Sequence, residues 1–210
     1  MTEPPAPPTG KLREHITILE MTLPPWREEP PADTPPQPGL RLKHERHLSP
    51  RDYLAMYRRV GAPWLWQGRL QLAPAALDAL LIDPDVEIHF LRQNDHPIGL
   101  LELDRRTTGE VEIAYFGLIP EAVGQGLGRY MMTRALVLAW ASQPRPRRVW
   151  VHTCQHDHPA AIEFYRRSGF TVCGHDSALV DDPRLTGALP LGAAPHVPLA
   201  TPKASEDRSL

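Results

Sequence analysis

The chain has 210 residues, of which 41% are hydrophobic and 23% are charged, so it has room for one sizeable globular domain and little for a second. Its formal net charge is −2 and its basic runs are short, which argues against the concentrated basic surface of an electrostatic nucleic-acid binder. No apolar stretch reaches the ~20 residues of a membrane-spanning helix, no signal peptide is recognisable, and two cysteines make no disulfide framework, so we expect a cytoplasmic protein with free thiols.

The first 38 residues are dense in proline, which removes amide donors and favours extended polyproline geometry. We therefore expect residues 1–38 to be a leader and linker outside the folded domain. Only residues 15–21 alternate apolar and polar side chains well enough to predict a short strand.

Regular patterns begin at Gly39 and predict a single domain over residues 39–176. Alternation predicts strands over 40–46, 86–91, 98–103, 111–118, 148–154 and 170–174, and helical spacing predicts helices that start at 50 and 74 and that span 126–141 and 158–168. Short turns join the strands between 86 and 118 into an antiparallel meander. Residues 177–210 drift to proline, alanine and polar side chains, and we expect a loosely ordered tail.

The most informative segment is the loop between the last meander strand and the following helix. Three alternating glycines, Gly124, Gly126 and Gly128, open that helix. Glycine allows a positive φ and lets a ligand approach the backbone closely, and a helix N-terminus presents free amides that suit a diphosphate. A nicotinamide-dinucleotide site would need a parallel βαβ unit with an acidic residue after the next strand, and this sequence offers neither.

Two motifs in this order resemble those of the GCN5-related N-acetyltransferases, or GNAT family, over about residues 40–174. The family's cofactor-binding signature, Gln/Arg-x-x-Gly-x-Gly/Ala, matches Gly126 and Gly128, with Val123 in place of the usual Gln or Arg. Its second signature, Phe-Tyr followed three residues on by Gly-Phe, matches residues 164–170. His158 replaces the asparagine that often precedes this second motif.

The resemblance implies a fold, a cofactor and a reaction. The fold would be α+β, with a mixed, mostly antiparallel sheet flanked by helices on both faces. Acetyl-CoA would be the acetyl donor, with no metal, and the acceptor would be a primary amine of a small molecule or peptide. No nucleic acid or membrane partner is expected, and a homodimer is left open. The match places the cofactor on Phe116, Gly117, Leu118, Val123, Gly124, Gln125, Gly126, Leu127, Gly128, Arg129 and His158.

The resemblance also implies two catalytic side chains. Glu112 lies fourteen residues before Gly126, the separation of the catalytic glutamate in histone-type members, and becomes the candidate base. Simple alternation places Glu112 on the same face of its strand as Phe116. Tyr165 matches the tyrosine that protonates the departing thiolate, and the ordinary pKa of a phenol lies near that of a thiol.

The strand before the glycines would also supply the oxyanion donor. In the family this strand separates from its neighbour at a bulge, and Gly117 suits such a bulge. The amide of Leu118 then becomes the candidate donor to the tetrahedral oxyanion.

The acceptor pocket is expected between the first two helices. Trp64, Trp66 and Arg69 lie there and could recognise an apolar or carboxylate-bearing amine. Ordinary core packing is the alternative interpretation of all three side chains.

The cluster of His and Cys residues after the strand 148–154 has more than one interpretation. Alternation would place His152, Cys154 and His156 on one face, where they could bind zinc in a metal-dependent enzyme. Asp157 and Pro159 indicate instead that the strand has ended, and we favour a polar cluster beside the cofactor or substrate. A non-catalytic acyl-CoA-binding domain is a further alternative, and Cys154 could in principle carry an acyl group, although direct transfer is preferred.

Overall fold

Seven strands form one mixed sheet in the computed structural model, which describes residues 6–201. The strands are β1 (Lys11–Met21), β2 (Leu40–His44), β3 (Val86–Gln93), β4 (His96–Asp104), β5 (Glu110–Leu118), β6 (Arg148–Cys154) and β7 (Thr171–Asp181). Their order across the sheet is β2-β3-β4-β5-β6-β1-β7. The pair β5–β6 is parallel and the other neighbouring pairs are antiparallel, which confirms the expected mixed sheet.

Helices cover both faces of the sheet. They are α1 (Pro50–Gly61), α2 (Pro74–Ile82), α3 (Leu127–Trp140) and α4 (Ala161–Arg167). Neighbouring residues of a strand point to opposite faces: Glu102 of β4 accepts a hydrogen bond from Tyr53 of α1, whereas Leu101 and Leu103 pack in the core cluster that contains α3. We call these the α1 face and the α3 face. None of the helices within residues 6–201 has the length and apolarity to span a membrane.

The N-terminal strand is the main departure from the expected organisation. β1 lies inside the sheet, where Ile16 pairs with Cys154 of β6 and Lys11 pairs with Asp181 of β7. Leu19 is fully buried. Residues 11–21 are thus part of the folded domain and not of a leader, and the strand is longer than the predicted 15–21. The first half of β1 carries charged residues, which obscure the alternation of apolar and polar side chains in the sequence. One of them, Lys11, forms an ion pair with Asp181.

The proline-rich segment 22–38 crosses α3 on its way to β2. The Tyr130 hydroxyl of α3 donates a hydrogen bond of 2.7 Å to Asp33, and Trp26 packs against the core on the α3 face. The segment is extended, as its prolines predict, but it lies against the domain.

The C-terminal segment is packed where a loose tail was expected. β7 continues to Asp181, and the side chains of Asp182 and Arg184 beyond it are buried. The Arg184 guanidinium donates to Asp182 and to the carbonyl oxygens of Val197 and Pro198, at 2.7–3.0 Å. An arginine that binds several carbonyl groups can order a chain that has no helix or strand. The end of the expected tail, 202–210, and residues 1–5 of the expected leader lie outside the described residues.

Candidate active site

The strands β5 and β6 separate at the centre of the sheet. Their parallel pairing stops where Glu112 pairs with Trp150, while β5 continues to Leu118 and β6 continues to Cys154. The two strands therefore leave an opening between them, which we call the β5–β6 cleft.

A bulge in β5 occurs at a different residue from the one predicted. Glu102 of β4 pairs with Tyr115 and Leu103 pairs with Ile113, so Ala114 is the extra residue. Gly117 pairs in regular register with Leu100. The predicted bulge at Gly117 is therefore wrong.

The bulge also changes which side chains share a face. Tyr115 joins Glu112 on the α1 face, whereas Phe116 packs on the α3 face with Ile113. The expectation that Glu112 and Phe116 share a face is wrong, because simple alternation cannot anticipate an inserted residue.

Close packing by α1 explains why residue 117 is glycine. A Cβ at Gly117 would lie 2.5 Å from a methyl carbon of Val60 and 3.3 Å from the Trp66 ring. A larger residue would force these side chains away from β5. Leu118, the next residue, lies on the α3 face, where a Cβ on Gly128 of α3 would be 4.0 Å from its side chain.

The glycine turn before α3 has the geometry of an anion site. Gly124 and Gly126 have φ values of +83° and +76°, and no atom lies within 4 Å of a Cβ built on either residue. Within residues 6–201, no group accepts a hydrogen bond from the backbone amides of 124–128. Free amides at a helix N-terminus attract phosphate groups, so this turn fits the diphosphate of a nucleotide cofactor.

The side chains of the turn leave its amides accessible. Leu127 is buried and fixes the start of α3 in the core, whereas Val123, Gln125 and Arg129 are exposed. The side-chain amide of Gln125 donates a hydrogen bond of 2.8 Å to the carbonyl oxygen of Glu121. The exposed Arg129 guanidinium adds positive charge to the same turn.

Tyr165 of α4 is buried beside this turn. Its ring lies 5.7–6.5 Å from the rings of Phe116, Phe164 and Phe170, and a Cβ on Gly128 would lie 3.8 Å from Phe164. Burial, together with the Asp157 carboxylate, raises the pKa of the Tyr165 phenol well above its ordinary value. The phenol therefore stays protonated at neutral pH.

Glu112 contacts a histidine that the sequence did not single out as its partner. The Nδ1 atom of His152 lies 3.2 Å from Oε1 of Glu112 across the β5–β6 cleft. This hydrogen bond raises the pKa of His152 above its ordinary value, although burial acts in the opposite direction.

Asp157 is the residue of this region that sequence reasoning interpreted incompletely. Its carboxylate accepts hydrogen bonds from the Trp66 indole at 3.1 Å, the Thr153 hydroxyl at 2.8 Å and the Cys154 amide at 2.9 Å. Asp157 thus ties the end of β6 to the loop after α1. The sequence indicates only that an aspartate follows a strand.

Trp64, Trp66 and Arg69 lie on the α1 face, but their surroundings differ. The Arg69 guanidinium binds the fully buried Glu102 carboxylate, with its Nε atom at 3.2 Å, and lies over the Tyr115 ring. Arg69 is therefore committed to a buried ion pair and is not available to bind a substrate carboxylate, because leaving Glu102 unpaired would be costly.

The two tryptophans pack against other aromatic and imidazole rings. Trp66 packs against Tyr57 and Tyr115, and Trp64 lies edge-on to His158 and His196, with ring centres 5.3 and 5.6 Å away. His158 thus contacts the aromatic ring of Trp64 after α1, and its Nδ1 accepts a hydrogen bond from the Ala160 amide.

The remaining His and Cys side chains do not assemble into a metal-binding group in the part of the chain that the structure describes. Burial raises the pKa of the Cys154 thiol to about 12, which keeps it protonated. A thiol in that state is a poor nucleophile, so the geometry offers no support for an acyl-cysteine intermediate.

The sequence of this chain matches a protein-family model. Residues 51–170 match the model of the acetyltransferase (GNAT) family, a range that includes the glycine turn and Tyr165. No curated protein matches the chain.

Two solved structures share the fold. A conserved protein of unknown function from Staphylococcus epidermidis has 17% identity and a TM-score of 0.58, over 82% of this chain and 63% of its own. A GCN5-related N-acetyltransferase from Sphaerobacter thermophilus has 19% identity and a TM-score of 0.53, over 79% of this chain and 50% of its own. The chain thus spans about half to two thirds of the length of these structures. Because the family model covers more than half of the sequence, this chain belongs to the GNAT acetyltransferase family.

Proposed function

We propose that the protein transfers an acetyl group from acetyl-CoA directly to a primary amine of a small molecule or peptide. The free amides of residues 124–128, at a turn with open space above it, are the observation that carries this proposal. They would bind the diphosphate of CoA, and Arg129 would add charge attraction. The acyl arm would then extend toward the β5–β6 cleft beside Phe116 and Leu118.

The residues around the cleft support each proton transfer that the reaction needs. The ammonium group loses one proton to the Glu112–His152 pair, and its nitrogen then attacks the carbonyl carbon of the thioester. The C–N bond forms, the C–S bond breaks, and the amide of Leu118 is the candidate donor to the oxyanion. The sulfur takes a proton from the Tyr165 hydroxyl. The phenolate then takes the second proton that the nitrogen loses. One proton in total is released to water.

The charges on the α1 face favour a cationic acceptor. The carboxylates of Glu14, Glu112 and Asp157 all interact electrostatically with His152, which places them around one region of the cleft. Burial and the neighbouring Asp157 raise the pKa of Glu14, while His152 lowers it. Carboxylates in such an arrangement attract an ammonium group and not a carboxylate.

A paired substitution tests the glycine turn. Gly126→Val should weaken acetyl-CoA binding at least tenfold, because a charge-assisted hydrogen bond is worth ~1.5–3 kcal/mol and the side chain would fill the open space. Isothermal calorimetry measures the affinity. Gly187→Val is the matched control: Gly187 has φ +78° and equally open space, so both variants carry the same backbone strain, but Gly187 is in the C-terminal segment.

Release of CoA thiol with a panel of amines tests the reaction itself. Turnover with at least one amine is expected. Tight acetyl-CoA binding without thiol release for any amine would indicate an acyl-CoA sensor, and equal affinity in the two glycine variants would remove the turn from the cofactor site.

A further inference from the structure

His152 lies nearer the open end of the β5–β6 cleft than Glu112 does. The last paired residues are Glu112 and Trp150, so Glu112 marks the closed end of the cleft. His152 follows Trp150 by two residues, about 6.6 Å along the strand, and is on the same face. This places the histidine level with the bulged Ala114, where the strands have separated.

The ring of His152 is oriented by Glu112 and open on its other side. The contact of 3.2 Å places Nδ1 beside the Glu112 carboxylate, which favours the neutral tautomer with its hydrogen on Nδ1 and its lone pair on Nε2. The His152 side chain is 46% exposed and that of Glu112 is 22% exposed. An incoming amine therefore reaches the imidazole more readily than the carboxylate.

Three carboxylates from three different parts of the chain act electrostatically on the His152 ring. Glu112 comes from β5, Asp157 from the loop after β6 and Glu14 from β1. All three raise the pKa of His152, Glu112 most strongly through its hydrogen bond, against the opposing effect of burial. These carboxylates favour the protonated imidazole, so each of them strengthens His152 as a proton acceptor.

We propose that His152 is the catalytic base, and that Glu112 is a positioning residue that acts through it. This rests on the proposed acetyl transfer. The Nε2 atom takes one proton from the ammonium group, which gives a neutral amine and an imidazolium ion paired with Glu112. The amine nitrogen then forms the C–N bond as the C–S bond breaks, and the imidazolium later returns its proton to water.

The pH dependence of kcat/KM distinguishes the two candidate bases. In the wild type, kcat/KM should rise as the pH increases through the pKa of His152, because the imidazolium then loses its proton and becomes a base. Glu112→Gln should keep this rise and move its midpoint to lower pH, because the strongest interaction that favours the imidazolium is removed. His152→Gln should lose the rise and lower kcat about 10²- to 10³-fold, and added imidazole should partly restore a His152→Ala variant.

His175→Gln is the matched control, because His175 is a histidine of β7 whose ring contacts Thr17 of β1. It should retain the wild-type profile. Acetyl-CoA affinity, measured for every variant, shows that each one is folded.

The outcomes separate this inference from the proposed function. If the wild type releases thiol and His152→Gln keeps both the pH-dependent rise and most of kcat, or if the midpoint in Glu112→Gln does not fall, His152 is not the base while acetyl transfer stands. If the wild type binds no acetyl-CoA or acetylates no amine, the proposed function fails and this inference fails with it.

Discussion

Tyr165 is held between three aromatic rings and next to the turn that opens α3. Its burial and the nearby Asp157 carboxylate disfavour the phenolate, so the phenol still carries its proton when a thiolate departs, but it is a weaker acid than an exposed tyrosine and must recover a proton at once. That is a different role from a base, which must be unprotonated before the amine arrives.

Tyr165→Phe should lower kcat about 10²-fold or more, because a general acid contributes that much, with little change in acetyl-CoA affinity. Steady-state kinetics and calorimetry give the two numbers. Tyr130→Phe is the control, since its hydroxyl donates to Asp33 across α3 and its loss should leave turnover intact. An unchanged kcat in Tyr165→Phe would remove the phenol from the mechanism.

Single residues show where sequence reasoning reaches its limit. Short motifs single out Gly126 and Tyr165 as candidate site residues, because each motif depends only on local spacing. The partners of Arg69 and Asp157 could not be inferred, since Glu102 and Trp66 are remote in the chain and meet them only after folding. The Glu112–His152 contact depends in the same way on two strands that pair for only three residues.

At the scale of secondary structure, the spacing of apolar residues predicted most helices and strands. The exception is β1, whose charged first half and proline-rich surroundings suggest a segment outside the domain. A strand between two others needs little sequence signal of its own, because both neighbours supply backbone hydrogen bonds.

Two leucines near the end of β1 test its place in the core. Leu19 is 0% exposed, and Leu23, just past the strand, is 73% exposed. Leu19→Ala should lower the free energy of unfolding by about 2–5 kcal/mol, while Leu23→Ala should change it by less than ~0.5 kcal/mol. Urea denaturation measures the free energy of unfolding of both variants. Small and equal changes would mean that β1 does not contribute to the hydrophobic core.

At the scale of the whole molecule, the C-terminal segment packs against β1 and against the loop after α1. Leu189, Ala194 and Val197 pack with Leu12 of β1 and with Leu65, the residue after Trp64. The segment thereby supports the loop that carries both tryptophans. Its composition gave no hint of this, because its order comes from a buried ion pair and backbone carbonyl contacts.

Arg184→Ala should destabilise the protein by about 3–5 kcal/mol, because it leaves the Asp182 carboxylate, which is 0% exposed, without its partner. Lys11→Ala breaks an ion pair of similar length whose side chains are 35% and 46% exposed, and it should cost at most about 1 kcal/mol. Thermal unfolding compares the two, and a similar small loss in both variants would contradict the ordering role of Arg184.

The position of β1 has a consequence for how the chain is made. It leaves the ribosome before the other six strands described here, yet its residue Ile16 pairs with Cys154, about 140 positions later. At about 5–20 residues per second, β1 waits on the order of ten seconds for its first neighbour. During that time its apolar side chains are without cover, so β1 is among the last of the described strands to be protected, and chaperones that bind nascent chains have a long opportunity there.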